Sequence, residues 1–496
     1  MARKISASEL LLHDKADDIW IVVNGYVYDM SSFADEHPGG PDIIHSYAGK
    51  DASQAYNEVH AASLIKKTLD SDFHLGVLDI TSVRDEITQA VERSSDGADL
   101  SGDSTLDSVI NLYDFEQFAQ RSLAAKPWAI ISGGSNDNIT RDANLSMLRK
   151  IWLRPAILRN VGKVSTRTRL FGCDLTLPIY IAPMGGAKAG GPEGELAMAK
   201  GASTSNIIHC ISTPSSFPHD EILEVTPKHA FFQVYVNKDR QKTKAAIQDM
   251  ANSGKVKAIF VTVDLPVISK READERITPD TPGGKKDRKG GGFARQASSW
   301  IDSSFTWDDL RWMRGLTDLP IVVKGIQRAQ DAVIAMNLGC DGIVLTNHGG
   351  RAADTAPPGI LTLLELHKNC PEVFGRMEII VDGGFRRGSD VVKAICLGAS
   401  AVGIGRPFMY AIRYGSEGID HAVESKTPWT NFIADVELTE DTVIKDEVET
   451  AMRLCGMTDL MRDAHPDYVN TAEIDHLVPS LKHPYARKTV KRDSKL

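Results

Sequence analysis

The chain has 496 residues, 42% of them hydrophobic and 25% charged, and a formal net charge of −9 spread along its length. That is too long for one small domain and ordinary in composition for a globular protein, with room for one large barrel and a smaller unit. No basic stripe with interleaved aromatics is present, which argues against nucleic acid as a partner. No apolar run in the sequence approaches the roughly 18 residues of a membrane span.

From the amino terminus, Met1-Ala2-Arg3-Lys4-Ile5 lacks both the apolar core of a secretory signal and the longer Arg- and Ser-rich stretch of a mitochondrial presequence. Residues 1–80 read as a compact unit: an apolar strand Ile19 to Val23, a turn at Asn24-Gly25, and a second strand Tyr26 to Asp29. Within it stands Glu36-His37-Pro38-Gly39-Gly40, then a helix-like stretch from Asp51 to Glu58, then His60. Residues 81–107 are polar and rich in Gly and Ser, the composition of a linker.

Residues 108–470 change character. Short apolar strands are predicted at Ile179–Ala182, Ile207–Ile211, Phe231–Tyr235, Ala258–Val263, Ile321–Lys324, Gly342–Leu345, Glu378–Val381 and Ala401–Ile404, each followed by a helix-length segment. Eight near-continuous apolar strands alternating with helices describe a (β/α)8 barrel, an α/β fold with both strand faces buried. A doubly wound sheet would want a G-x-G-x-x-G turn after an early strand, and none is found. The segment between Pro266 and Trp300 is long and glycine-rich, and is expected to be a mobile lid or a protease-sensitive loop. The six cysteines form no C-x-x-C pair and read as reduced core residues. The tail, residues 471–496, ends Ser494-Lys495-Leu496, which predicts a peroxisomal address; a cytoplasmic or mitochondrial location is the alternative.

Two groups of residues carry chemistry. A haem iron held by two imidazoles needs histidines on opposite sides of a flat ring, each on a stiff turn, which makes His37 and His60 the candidate ligands. In the barrel, chemistry is expected at the carboxyl ends of the strands and phosphate binding after strands seven and eight. There the sequence reads Asp382-Gly383-Gly384-Phe385-Arg386 and Gly405-Arg406-Pro407, glycines for close backbone approach and arginines for charge. After strand six comes Asn347-His348-Gly349-Gly350-Arg351, a base beside a carboxylate anchor. Asp264 is placed to pair with His348, Lys324 to stabilise negative charge on a reduced flavin ring, and Tyr235 to hydrogen-bond a substrate hydroxyl.

With these motifs in view, residues 5 to about 80 resemble cytochrome b5 and residues 110 to 460 resemble the FMN-dependent 2-hydroxy acid oxidases and dehydrogenases. The whole chain is similar to the flavocytochrome b2 family of L-lactate dehydrogenases. The resemblance implies FMN and haem b as cofactors, His37 and His60 on the haem iron, His348 as base and Asp264 as its partner. It implies Arg351 and Arg271 as carboxylate binders and Tyr235 near the substrate hydroxyl. For FMN it implies Ser212, Gln233, Thr262, Lys324, Asp382, Gly383, Gly384, Arg386, Gly405 and Arg406. It also implies a homotetramer.

The chain departs from the family where Trp128-Ala129-Ile130-Ile131-Ser132 replaces a Trp-Ala-Tyr-Tyr-Ser context, so Ile130 offers no hydroxyl to a substrate carboxylate. Met184-Gly185, Pro214 and Ala352 also differ, and the reshaped pocket points to a side chain larger or more apolar than that of lactate. The expected reaction is oxidation of an L-2-hydroxy acid, with His348 taking either the hydroxyl proton or the Cα proton. Electrons then leave singly through haem to an acceptor that the sequence does not name, a cytochrome c-like protein or O2. Two rival expectations are a peroxisomal oxidase that uses O2 and makes peroxide, and a non-catalytic haem and flavin electron carrier.

Overall fold

The computed structural model describes residues 3–15, 17–37, 40–79, 105–277, 300–423 and 443–481. Most of the expected linker, the centre of the Pro266–Trp300 loop and the Ser494-Lys495-Leu496 terminus lie outside the described residues.

The amino-terminal unit is built on a six-stranded sheet in the order β1-β6-β4-β3-β2 with β5 beside β3. The strands are β1 (Lys4–Ile5), β2 (Asp14–Lys15), β3 (Asp18–Val23), β4 (Tyr26–Asp29), β5 (Lys50–Asp51) and β6 (His74–Leu78). Asn24-Gly25 makes the β3–β4 hairpin, both residues at positive φ, the conformation a two-residue hairpin turn requires. One face of the sheet packs Ile19, Ile21, Val23 and Tyr28 against Ile44, Ala48 and Ile65 from short helices. His37 and His60 stand on this helical side, each just past the end of a helical segment.

The larger unit is a closed parallel barrel, β10-β11-β12-β13-β14-β15-β16-β17, β10 pairing with both β11 and β17. The strands are β10 (Ile179–Ile181), β11 (Ile208–Ser212), β12 (Ala230–Val234), β13 (Val256–Thr262), β14 (Ile321–Ile326), β15 (Gly342–Leu345), β16 (Glu378–Asp382) and β17 (Ala401–Ile404). Two antiparallel pairs flank it: β7 (Trp152–Leu153) with β18 (Val469–Asn470), and β8 (Thr168–Leu170) with β9 (Cys173–Leu175). The eight barrel strands match the predicted set to within two residues at each end. Lys324 is the exception in position: it lies inside β14, whose register shifts between Lys324 and Ile326 around Gly325.

Alternation along each strand sets the site. Side chains two apart point the same way, so the inward row runs Cys210 then Ser212, Phe231 then Gln233, Phe260 then Thr262. It continues Val322 then Lys324, Val344 then Thr346, Ile380 then Asp382. The lower members form one apolar cluster with Tyr180, capped by Phe171 of the β8–β9 turn, whose ring lies 5.6 Å from Phe231. The upper members are polar and buried, and form the floor of the barrel mouth. All six cysteines are buried and none is in a disulfide, and no described helix is long and apolar enough to cross a membrane.

Candidate active site

His348 sits in a turn that only special residues tolerate. His348, Gly349 and Gly350 all have positive φ, at 60°, 64° and 78°. A Cβ on Gly350 would fall 2.5 Å from the Arg141 nitrogen, so the tight fold needs glycine there. The turn is held from below by Asn347, whose side-chain amide pairs reciprocally with that of Asn144 at 2.9 and 2.8 Å. From above, the His348 backbone N–H donates to Thr346 Oγ1 at 2.9 Å. The ring is thereby aimed between two partners: Nδ1 lies 2.9 Å from Asp264 Oδ1, and Nε2 lies 3.2 Å from the Tyr235 hydroxyl.

Burial pushes the His348 imidazole down to about 4, against the opposing pull of the Asp264 carboxylate. Burial alone would raise Asp264, but His348 and Lys324 outweigh it and hold its pKa low. The pair therefore rests as neutral imidazole beside carboxylate, the form able to accept a proton.

Three guanidiniums crowd the same mouth. Burial, then Arg271 and Arg406, drive Arg351 well below its ordinary range; burial also lowers Arg271 and brings Arg406 to about 10. Arg271 Nε is buried without a partner. Buried cations that repel one another are costly until an anion joins them, so this cluster is suited to a carboxylate. Arg351 donates to the main-chain carbonyls of Ile130 and Ile131, the latter at 2.6 Å, so the segment that lacks the family tyrosine still anchors the arginine through its backbone. Arg406 is likewise fixed by the carbonyls of Ile131, Gly349 and Gly133 at 3.0, 2.9 and 2.8 Å.

Across the floor, Ser212 Oγ donates to Gln233 Oε1 at 2.8 Å and Gln233 Nε2 donates to Thr262 Oγ1 at 2.9 Å, linking three strand ends. Lys324 Nζ is 3.9 Å from Asp382 Oδ2, both buried. Gly383 and Gly384 turn sharply at φ 98° and 89°, pressed on Asn144, and Arg386 Nε is buried without a partner. An ideal Cβ on Gly405 would have nothing closer than 3.6 Å, which leaves that backbone open to the cavity. Ser212, Lys324, Gly383, Gly384, Arg386, Gly405 and Arg406 all line one cavity with Tyr235, Arg271, His348 and Arg351. Polar floor, open glycine backbone and the unpartnered Nε of Arg386 fit a phosphorylated flavin.

The same cavity continues into the amino-terminal unit, where it is lined by His37, His60 and apolar side chains including Ile21, Met30, Phe33 and Ile44. Its volume is about 1670 Å³, more than the roughly 300–1,000 Å³ of a single ligand pocket. The two imidazole centroids are 6.1 Å apart with their planes at 82°. That spacing suits an iron between them, given metal–nitrogen bonds of about 2 Å on each side. His37 Nδ1 faces the Gly40 carbonyl at 3.3 Å, and burial lowers both imidazoles, His60 to about 4. Neutral imidazoles inside an apolar cleft fit haem.

Fold and site together define a flavin-type barrel enzyme with a haem-type module at its mouth. Family models agree: residues 119–427 match the FMN-dependent dehydrogenases, and residues 6–79 match the cytochrome b5-like haem/steroid binding domain. The chain is 36% identical to the L-lactate dehydrogenase (cytochrome) of Saccharomyces cerevisiae, over 95% of this chain and 80% of that protein. It is also 36% identical to a peroxisomal (S)-2-hydroxyacid oxidase of Arabidopsis thaliana, over 71% of this chain and 94% of that one. A flavocytochrome b2 double mutant with pyruvate bound superposes with a TM-score of 0.66 at 34% identity, covering 79% of this chain and 94% of that one. The chain belongs to the FMN-dependent dehydrogenases, in the flavocytochrome b2 group that joins a cytochrome b5-like domain to the barrel, and its cofactors are FMN and haem.

This corrects the peroxisomal expectation drawn from Ser494-Lys495-Leu496. Two relatives that align across 95% of the chain are L-lactate dehydrogenases of the cytochrome type, whereas two with peroxisomal names align over only 71% of it. A three-residue ending is a small signal beside the two joined domains.

The structure adds residues that the motifs did not single out. Asn144 pins Asn347; Glu116 pairs with Arg386 at 3.1 Å; Trp300 stands edge-on to Tyr235 at 6.1 Å. Asn347 stood within the quoted motif, but none of its partners carries a local pattern.

Proposed function

We propose that this protein oxidises an L-2-hydroxy acid to the 2-oxo acid and passes the electrons, one at a time, through its haem to a cytochrome-type acceptor. The observation that carries this is the single cavity shared by the His348–Asp264–Tyr235 group and the His37–His60 pair. Bound FMN supplies the two-electron acceptor and bound haem the one-electron relay. Ser212, Gln233, Thr262, Lys324, the Asp382–Arg386 turn, Gly405 and Arg406 would hold the flavin; His37 and His60 would hold the haem iron.

The substrate carboxylate sits against Arg271 and Arg351, relieving their mutual repulsion and orienting the hydroxyl toward Tyr235 and His348. His348 Nε2 accepts a proton as the substrate is oxidised, and Asp264 stabilises the resulting imidazolium through Nδ1. Lys324 Nζ stands at the floor, where negative charge develops. Ile130, Met184, Pro214, Ile268 and Trp300 give the remaining wall an apolar lining, which suits a substrate side chain larger than methyl.

The test is anaerobic stopped-flow spectroscopy with L-2-hydroxy acids from lactate to mandelate, following flavin and haem bands separately. Flavin bleaching and haem reduction in step are expected, fastest with an apolar side chain larger than methyl. Bleaching with the haem still oxidised, and peroxide formed in air, would turn the reading to an oxidase. A flavin that no hydroxy acid bleaches would leave an electron carrier.

A further inference from the structure

We infer that Glu195 is a positioning residue for haem docking: its buried carboxylate clamps the two barrel turns on which the haem-ligand segment Asn57–Ala61 rests. Glu195 opens the helix Gly194–Thr204 and is completely buried. Its Oε1 accepts two backbone N–H groups at once, from Ala187 at 3.0 Å and Ser216 at 2.9 Å. Ala187 belongs to the turn after β10 and Ser216 to the turn after β11, so one oxygen ties the two turns together. Gly186 N–H to the Pro214 carbonyl at 3.1 Å, and Lys188 N–H to Ser216 Oγ at 3.2 Å, run alongside.

The same two turns carry the contacts to the other domain. Lys188 Nζ donates to the carbonyls of Asn57 and His60 at 2.6 and 2.8 Å, closing the carboxyl end of the helix Ser53–Val59. The Ala61 N–H donates to the Ser216 carbonyl at 2.9 Å. Each contact is one residue or less from a group that Glu195 holds. Burying a carboxyl group is costly unless it is hydrogen-bonded, and here burial raises its pKa and Oε2 has no partner, so its bonds to the turns that seat the haem-ligand segment run through Oε1. No bond from Glu195 reaches the His348 group. Glu195 makes and breaks no bond during turnover; it fixes how far the haem-ligand segment stands from the barrel mouth.

The kinetic part of this inference rests on the proposed electron route, whereas the docking part does not. The experiment uses the full-length holoenzyme and the variants Glu195→Ala, Glu195→Gln and Lys188→Met. Amide hydrogen exchange is read on the peptide spanning residues 57–64, and flavin bleaching and haem reduction are timed separately by stopped flow. In Glu195→Ala, exchange at 57–64 should rise and haem reduction should slow by roughly tenfold, the scale of a lost pair of buried hydrogen bonds, with flavin bleaching unchanged. Glu195→Gln keeps the acceptor oxygen and should restore both readings. Lys188→Met, which leaves the barrel interior intact, should reproduce the loss and serves where Glu195→Ala fails to fold. Unchanged exchange at 57–64 in Glu195→Ala and Lys188→Met, or equal slowing of flavin and haem steps, would overturn the inference. If no hydroxy acid bleaches the flavin of the unaltered protein, the proposed function fails while the exchange reading still decides the role of Glu195.

Discussion

His348 holds its proton between two opposing neighbours, and that balance sets a measurable pH dependence. Burial lowers the imidazole to about 4, while Asp264 raises it. The neutral, proton-accepting form is fully present above that value and is lost as pH falls through it, so kcat/KM should stay level across neutral pH. Its acid limb should lie below the ordinary histidine value of about 6.5. Replacing Asp264→Asn removes the one carboxylate that favours the imidazolium. The acid limb should then move to still lower pH, and kcat should fall by roughly 10²–10⁴, because the proton taken in the reaction is no longer stabilised. KM should change little, since Arg271 and Arg351 are untouched. A pH profile of both enzymes checks this; an acid limb that moves upward in the variant would contradict the assignment.

At the scale of the elements, the strands were legible because each barrel strand is a short apolar run with buried faces, and six of the eight inward rows end in a polar residue. Cys210 followed by Ser212, or Val322 followed by Lys324, is a pattern of period two that a reader can follow to the mouth. The glycine turns after β15 and β16 were legible for a similar reason: paired glycines mark backbone that no other residue can form. What stayed hidden depends on partners far away in sequence. Glu195 reads as an ordinary acidic residue in a first helical turn, and only the meeting of two turns buries it. Ile130 read as a lost contact, yet its carbonyl still receives Arg351, because backbone groups carry no sequence signal. The structure also makes the turn after β16 testable. At Gly384, φ is 89° and a Cβ would fall 2.3 Å from the Asn144 carbonyl oxygen. Gly384→Ala therefore combines left-handed strain with overpacking, an expected loss of about 2–5 kcal/mol. Thermal unfolding should show a lowered Tm, and the purified variant should carry less flavin; unaltered values of both would mean the turn yields without cost.

Over the whole molecule, the two halves meet through charges as well as through the turns that Glu195 clamps. Lys67 of the amino-terminal unit reaches Asp220 at 2.6 Å and Glu221 at 3.2 Å, and Glu36 reaches Lys242 of the barrel at 2.5 Å. These side chains are largely exposed, so the pairs add little net stability and are screened by salt. Their place in the molecule gives them a different weight. They flank the cavity that joins His37 and His60 to the barrel mouth, and they fix which face of the haem-binding unit is turned toward it. Raising the ionic strength from about 0.05 M to about 0.5 M shortens the Debye length from about 14 Å to about 4 Å. The docked fraction should fall, and with it the rate of haem reduction, while flavin bleaching by substrate, which takes place among buried groups, should not respond. The double variant Lys67→Ala, Lys242→Ala should show slower haem reduction at low salt and should lose most of the salt dependence. A salt effect of equal size on both steps would place the charge sensitivity in substrate binding instead, because the buried cations Arg271 and Arg351 would then be the groups being screened.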